Sequence, residues 1–193
     1  MKPMAEAQLI LIRHAPADTG GRLAGRRDVP AILDDTEAVA RLRAALGSPA
    51  KIVTSPALRC RRTATALFGE RATQEDHRLW EQDFGDHEGL PFDSIPDLGE
   101  MTRAELATIT PPGGESFADM VARVTPALRE LAGEALNLGP IAVVAHAGTI
   151  RAGLAMAFGD VPAALAFEVE PLSVTRIRCL PGAMSVISVN QLA

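Results

Sequence analysis

The sequence predicts an α/β fold, a three-layer sandwich in which a mostly parallel central sheet lies between layers of helices. Three short apolar runs, at residues 8–12, 51–54 and 141–145, have the composition of strands that are buried on both faces. Segments with apolar residues at helical spacing follow these runs, and an alternation of strand and helix is typical of a parallel sheet. With 193 residues the chain suits one domain, and we predict a single domain over residues 1–193.

Two helices are predicted in the first half of the chain. The first begins near Asp34 and ends at Gly47, because glycine commonly follows the last turn of a helix. The second opens with Ser55 as its N-cap and Pro56 at its first position, and it continues to Phe68.

Residues 78–115 differ in composition from the rest of the chain, since they contain several prolines and acids and no long apolar run. We predict that they form a lid-like excursion over the sheet, or a pocket wall, with one small helix at residues 102–109.

The second half is predicted to return to regular structure. A helix capped by Ser116 and containing Pro126 precedes the third apolar run. A helix of small residues over 149–158 follows that run, and the alternating segments at 173–178 and 185–189 are predicted as the last strands.

The composition excludes several classes of protein. A net charge of −5 argues against nucleic acid and anionic membranes as partners. The hydrophobic fraction of 47% and the charged fraction of 22% are those of a globular protein, and no apolar run is long enough to span a membrane. Two cysteines, of which Cys60 is interpreted as a buried thiol, and four scattered histidines indicate neither a disulfide framework nor a metal site. We therefore expect a cytoplasmic protein, a monomer or homodimer, without metal or cofactor.

Two of the predicted buried strands run into a histidine. His14 follows the first apolar run and His146 follows the third. Because ligands of open α/β sheets bind at the carboxyl ends of strands, both imidazoles are expected to face one crevice. The alternative is two unrelated histidines, one in the core and one in a loop, but the shared strand-end position favours a common site. Arg13 directly precedes His14, and Arg151 lies five residues after His146.

The segment after the second run supplies a third element of this crevice. Residues 55–64 are predicted to begin a helix whose unpaired backbone N–H groups favour an anion. Arg59 lies in the first turn, whereas Arg61 and Arg62 point to other faces and are expected to be solvated. Two imidazoles, two arginines and a helix N-terminus would suit a phosphoryl group, because a planar guanidinium binds phosphate oxygens in pairs.

Five segments resemble, in order, the signature elements of the histidine phosphatase superfamily, which includes the cofactor-dependent phosphoglycerate mutases. They are residues 11–15, residues 55–64, residues 79–89, the Pro-Gly-Gly-Glu-Ser segment at 112–116, and residues 143–151. The chain departs from the family pattern at Ala15, where glycine is usual, and at His87, where tryptophan is usual.

The resemblance implies a phosphoglycerate mutase-like fold and a role for each matching residue. His14 is the nucleophile that forms a phosphohistidine, and Glu81 is the proton donor that later activates water. The groups that bind and stabilise the phosphoryl group are Arg13, Arg59, His146 and Ala147.

Some assignments stay open. The acids that compete with Glu81 are Asp83, Asp86 and Glu88, while Glu115 is interpreted as a structural or capping acid. The candidates for substrate binding are Arg26 and His87, with Arg22 and Arg27 as alternatives to Arg26.

The expected function is hydrolysis of a small phosphorylated metabolite without a metal ion. The shortness of the chain, and Gly20 in place of a family asparagine, favour a phosphatase over a mutase. Segments at 25–30, 81–85 and 147–152 are similar to α-ribazole phosphatases of cobalamin biosynthesis, and a broad-specificity phosphatase is an equal alternative. Mutase-type phosphoryl transfer and non-catalytic phosphate binding are the remaining hypotheses.

Overall fold

The computed structural model describes residues 6–71 and 73–193, which form six strands and five α-helices. The strands are β1 (Gln8–Arg13), β2 (Lys51–Thr54), β3 (Gln74–Glu75), β4 (Ile141–Ala145), β5 (Val174–Leu180) and β6 (Ala183–Gln191). The helices are α1 (Thr36–Leu46), α2 (Leu58–Phe68), α3 (Arg103–Thr108), α4 (Phe117–Leu138) and α5 (Ala147–Phe158). None of these helices is both long and apolar enough to cross a bilayer.

The six strands form one mixed sheet in the order β3-β2-β4-β1-β5-β6. The first four strands of that order pair in parallel, whereas β5 runs antiparallel to β1, and β6 antiparallel to β5. The last two strands are antiparallel because only Pro181 and Gly182 connect them, and so short a loop can form only a hairpin. The predicted fold class, with a mostly parallel sheet between helices, is confirmed.

Both faces of the sheet are covered, which explains why its central strands are apolar without interruption. Leu9 and Leu11 of β1 pack in one core cluster with residues of α4 and α5. Ile10 and Ile12 point to the opposite face and pack in a second cluster with residues of α1 and α2. The carboxyl ends of β1, β2 and β4 therefore lie at one edge of a rigid, buried sheet.

The predicted start of the second helix is wrong. Its N-cap is Ala57, and Ser55 directly follows β2 and still bonds to the neighbouring strand β4, because its N–H donates to the carbonyl of Val144 at 3.0 Å. The N–H of Leu58 donates to the carboxylate of Asp28 at 2.6 Å. At this N–H the anion is thus a side chain of the protein, so the N–H of Leu58 is not free for phosphate.

The excursion at 78–115 is irregular, as its composition predicts. Besides α3 it contains single 3₁₀ turns, including Gly85–His87 and Phe92–Ser94. Thr102 and Glu105 form a capping box at α3, and Ser116 and Asp119 form another at α4, which confirms the predicted N-cap at Ser116.

Candidate active site

The register of β1 against β4 brings the two strand-end histidines together. Arg13 lies opposite Ala145 in this parallel pair, and the N–H of His14 donates to the carbonyl of Ala145 at 2.9 Å. The ring centroids of His14 and His146 are 5.2 Å apart, in an edge-to-face arrangement. Both rings are buried. The structure thus brings into one crevice the two imidazoles that the strand-end positions predict there.

One ring nitrogen of His14 forms a hydrogen bond with the backbone of the next residue. Nδ1 lies 2.6 Å from the carbonyl oxygen of Ala15, which can only accept, so Nδ1 carries the proton. The peptide of Ala15 is itself held, because its N–H donates to Thr63 Oγ1 at 3.0 Å. The pKa of His14 is lowered to about 3, mainly by burial and also by the charges of Arg59 and Arg13, against the opposing effect of the Ala15 hydrogen bond. Nε2 of a neutral ring therefore carries the lone pair.

His146 is fixed in the opposite tautomer. Its Nδ1 lies 3.3 Å from an amino group of Arg59, which can only donate, so the proton is on Nε2, which donates to Ser55 Oγ at 2.9 Å. Trp80 stacks parallel to this ring at 6.3 Å between centroids. Burial holds the pKa of His146 well below its usual range, and the proximity of His14 and the arginines lowers it further.

Two arginines are positioned beside the histidines. Arg59 is 2% exposed, and its guanidinium donates to the carbonyls of Arg27, at 2.9 Å, and Gly25, at 2.7 Å. Arg13 donates from one amino group to the carbonyl of Val169, while its buried Nε has no partner among the described residues. Burial lowers the pKa of Arg13. The site is therefore rich in guanidinium N–H donors within a chain of net negative charge.

Glu81 faces the same region from the loop that follows the 3₁₀ turn at His77–Leu79. Its carboxylate approaches α5 at Gly148 so closely that a Cβ there would overlap Glu81 Oε1. This close approach is a physical reason for glycine at position 148. Oε1 accepts one hydrogen bond, from the N–H of Gln82 at 3.0 Å. Ala147, the first residue of α5, and Gly148 line the same cavity as Glu81.

Two of the acids that compete with Glu81 are engaged elsewhere. Glu88 Oε1 accepts from the N–H groups of Arg26 and Phe84, at 2.8 and 3.1 Å. Asp83 accepts from the N–H of Gly85 at 2.9 Å and pairs with Arg26 at 3.3 Å. Neither lines the cavity, and neither does Asp86, whereas Glu81 does. The geometry thus favours Glu81 over its three rivals.

Arg123 of α4 has a positioning function that the sequence pattern does not reveal. Its guanidinium donates to the carbonyls of Arg78, Trp80 and Glu81, at 2.8, 3.1 and 3.2 Å, and pairs with the carboxylate of Glu115. The interpretation of Glu115 as a structural acid agrees with these contacts. The loop that carries Glu81 is therefore fastened to a long helix rather than left free.

The residues predicted to bind substrate occupy different places. His87 lines the cavity, in the position where the family has tryptophan. Arg26 does not line it, because its guanidinium pairs with Asp83 and with Glu115, the latter at 3.2 Å. The Arg22 side chain donates to the carbonyl of Gly89, and Arg27 lies exposed beside the same glycine.

Sequence reasoning also missed the functions of Ser55 and Thr63. Thr63 follows Arg59 by four residues, so helical spacing could have placed it on the same face. Cys60 lies between them in sequence, and its Sγ is 3.6 Å from His146 Nε2. Burial raises the pKa of this thiol, which agrees with its interpretation as a buried, protonated group.

Comparison with known proteins relates this arrangement to a family. The model of the histidine phosphatase superfamily (branch 1) matches residues 9–192. The chain belongs to this superfamily. A glucosyl-3-phosphoglycerate phosphatase of Mycobacterium tuberculosis is 35% identical over 167 residues, which cover 77% of this chain and 74% of the relative.

Solved structures of the superfamily share the fold. A mycobacterial glucosyl-3-phosphoglycerate phosphatase matches with a TM-score of 0.85 at 26% identity, over 97% of this chain and 100% of that one. The α-ribazole phosphatase from Shigella flexneri matches with a TM-score of 0.82 at 20% identity, over 95% and 96% of the two chains, which shows the fold alone. Together these matches confirm the predicted superfamily, its fold and the prediction of a phosphoric monoester hydrolase.

Proposed function

We propose that this protein hydrolyses a small phosphomonoester through a phosphohistidine on His14, without a metal ion. One observation carries the proposal: a neutral His14, whose Nδ1 proton is held by the Ala15 carbonyl, lies beside His146 and two arginines. The lone pair on Nε2 attacks phosphorus, the N–P bond forms, and the P–O bond to the alcohol breaks. Burial keeps the ring unprotonated at neutral pH, so the nucleophile needs no separate base.

Negative charge on the transferred phosphoryl oxygens is stabilised by groups that are already in place. Arg13 and Arg59 supply guanidinium N–H donors, and Ala147 offers the N-terminal backbone of α5. His146 packs edge-to-face against the His14 ring and accepts from Arg59, so it positions these two groups. Donors fixed in advance cost no reorganisation at the moment of reaction, and each is worth about 3 kcal/mol of barrier.

Glu81 completes the cycle as acid and then as base. It gives its proton to the departing alkoxide, and it then takes one from the water that attacks the phosphohistidine, so that inorganic phosphate leaves and both residues return to their starting states. Its location on the cavity wall, apart from the paired Asp83 and Glu88, supports this assignment.

The natural substrate is a finer question, for which two relatives suggest different answers. The residues at 25–30, 81–85 and 147–152 are similar to α-ribazole phosphatases, and α-ribazole 5′-phosphate is our specific candidate. The relative with 35% identity is named for glucosyl-3-phosphoglycerate, which is therefore the second candidate. Both are phosphomonoesters of small alcohols.

The direct test compares the wild type with His14→Ala. We expect the variant to lose p-nitrophenyl phosphate turnover by about 10³-fold or more, with an unchanged circular dichroism spectrum. Normal turnover would remove the basis for the nucleophile. Bisphosphate-dependent exchange between 2- and 3-phosphoglycerate, if the wild type performed it faster than hydrolysis, would indicate a mutase instead. Phosphate binding without any turnover would indicate a non-catalytic module.

A further inference from the structure

A cavity of about 610 Å³ is lined by Glu81, Ala147 and Gly148 of the candidate site and by residues of the excursion. That volume is in the range of cavities that hold small organic ligands. Its walls are mainly apolar, and Ile95, Leu98, Leu106 and Ile109 of the excursion face Phe117 of α4 and Leu165. Because Glu81, the proposed proton donor to the leaving alcohol, lines this space, the alcohol portion of a bound substrate lies beside it.

The cavity has few polar side chains, which are Glu81, Gln82, His87, Thr110 and Arg151. The charges of Glu81 and Arg151 act on Arg13, which relates this part of the lining to the proposed phosphoryl site. Arg151 is the one lysine or arginine among the lining residues, and its Nε already donates to the carbonyl of Phe167 at 3.0 Å. Apart from Arg151, no lysine or arginine of the described residues lines the cavity to receive a second acidic group of the substrate.

Two leucines of the excursion line the cavity and remain partly exposed to water. Leu98 is 50% exposed and Leu106 is 42% exposed, although both line the cavity. Apolar side chains that line an open cavity gain from a ligand that removes them from water, at about 25 cal/mol for each Å². Polar groups placed against the same wall would lose their hydrogen bonds to water without replacement.

We infer that the leaving group of the substrate is an uncharged alcohol with an apolar ring or chain, not a carboxylate-bearing glycerate or a bare polyol. The inference rests on the proposed phosphatase function and names the substrate class for that same site. It favours an ester such as α-ribazole 5′-phosphate, with its aromatic base, over the highly polar substrate named for the mycobacterial relative.

The test compares phosphate esters of primary alcohols with similar acidity, so that leaving-group chemistry is constant. The probes are 3-phenylpropyl phosphate, glycerol 3-phosphate and 3-phosphoglycerate, measured as kcat/KM on the wild-type chain. We expect 3-phenylpropyl phosphate to exceed both others by at least about tenfold, the effect of roughly one well-buried apolar group. Equal or better hydrolysis of either polar ester would overturn the inference and leave the phosphatase function standing.

Two variants of the excursion test whether the preference for an apolar alcohol depends on the cavity. Leu98→Asp and Leu106→Asp change partly exposed positions and should each reduce the ratio of the two kcat/KM values, for phenylpropyl over glycerol phosphate, by about tenfold. Leu138→Asp, at an equally exposed leucine outside the cavity, should leave the ratio unchanged. A ratio that all three variants leave unchanged would contradict the inference. Absence of hydrolysis of every ester, together with no phosphohistidine, would reject the proposed function and the inference with it.

Discussion

The chemistry of His14 depends on one carbonyl oxygen. The Ala15 carbonyl accepts a hydrogen bond from Nδ1–H, and Thr63 holds the Ala15 peptide in place, so Nε2 carries the lone pair of the proposed nucleophile. Ala15, at a position where the family usually has glycine, is fully buried and does not have a positive φ. The tautomer of His14 thus depends on two contacts of the Ala15 backbone, which cannot be predicted from the residue types.

A depressed pKa at His14 has a consequence for stability. The folded ring stays neutral down to about pH 3, whereas the unfolded ring gains a proton below about pH 6.5. Because the unfolded state then binds more protons, the free energy of unfolding falls as the pH is lowered through this interval. We predict a shallower pH dependence for His14→Gln in urea denaturation between about pH 7 and pH 5. Parallel curves for the two proteins would show that His14 titrates normally.

A substitution at Gly148 gives a second prediction, which tests Glu81 as the proton donor. In Gly148→Ala the new methyl group displaces the Glu81 carboxylate, so kcat/KM for an alkyl phosphate should fall by about 100-fold, as in Glu81→Gln. The value for p-nitrophenyl phosphate should change little, because nitrophenolate leaves without a proton. Gly133→Ala on α4, where a Cβ meets no neighbour, is the control. Equal losses for both substrates would argue against Glu81 as the acid.

At the scale of elements, the contact between α4 and the loop that carries Glu81 restrains this loop. A 22-residue helix, capped by Ser116 and anchored in the core, presents Arg123 to three carbonyls of an otherwise irregular segment. Irregular backbone near a site is usually mobile, and these hydrogen bonds restrain it. Glu115 joins the same network to Arg26. The contact between α4 and this loop therefore holds Glu81 in position.

We therefore predict that Arg123→Gln destabilises the fold by about 2–4 kcal/mol, because Glu115 and three carbonyls lose a charged donor. Denaturation in urea measures the change. Arg129→Gln, at an exposed position of the same helix, should alter stability by less than about 0.5 kcal/mol and serves as the matched control. If Arg123→Gln changed the free energy of unfolding as little as its control, the hydrogen bonds of Arg123 would not stabilise the fold.

At the scale of the whole molecule, the site exists because β1 and β4 are neighbours. The sequence predicts the strands, their burial and the histidines at their ends, since apolar runs and strand-end positions are properties of residue types. It does not predict that Asp28 caps α2, that Ser55 binds His146, or that Arg123 fastens the Glu81 loop. Those contacts join distant segments, and many of them use backbone atoms that are alike in every residue.

The sequence likewise predicts an irregular excursion at 78–115 but not what it encloses. Apolar residues scattered over a proline-rich segment carry no period, so neither the cavity nor the orientation of Leu98 and Leu106 can be obtained from spacing. The shape of the cavity is thus a property of the folded chain, whereas the candidate catalytic groups can be named from the sequence.

The most direct measurement is to trap the covalent intermediate. The wild-type chain, mixed with a phosphate ester labelled at phosphorus and quenched in base within milliseconds, should carry label that is lost in mild acid and that maps to the peptide containing residue 14. His14→Ala, treated in the same way, should carry none. Label on another residue, or hydrolysis by the wild type with no labelled protein at any time, would contradict the account.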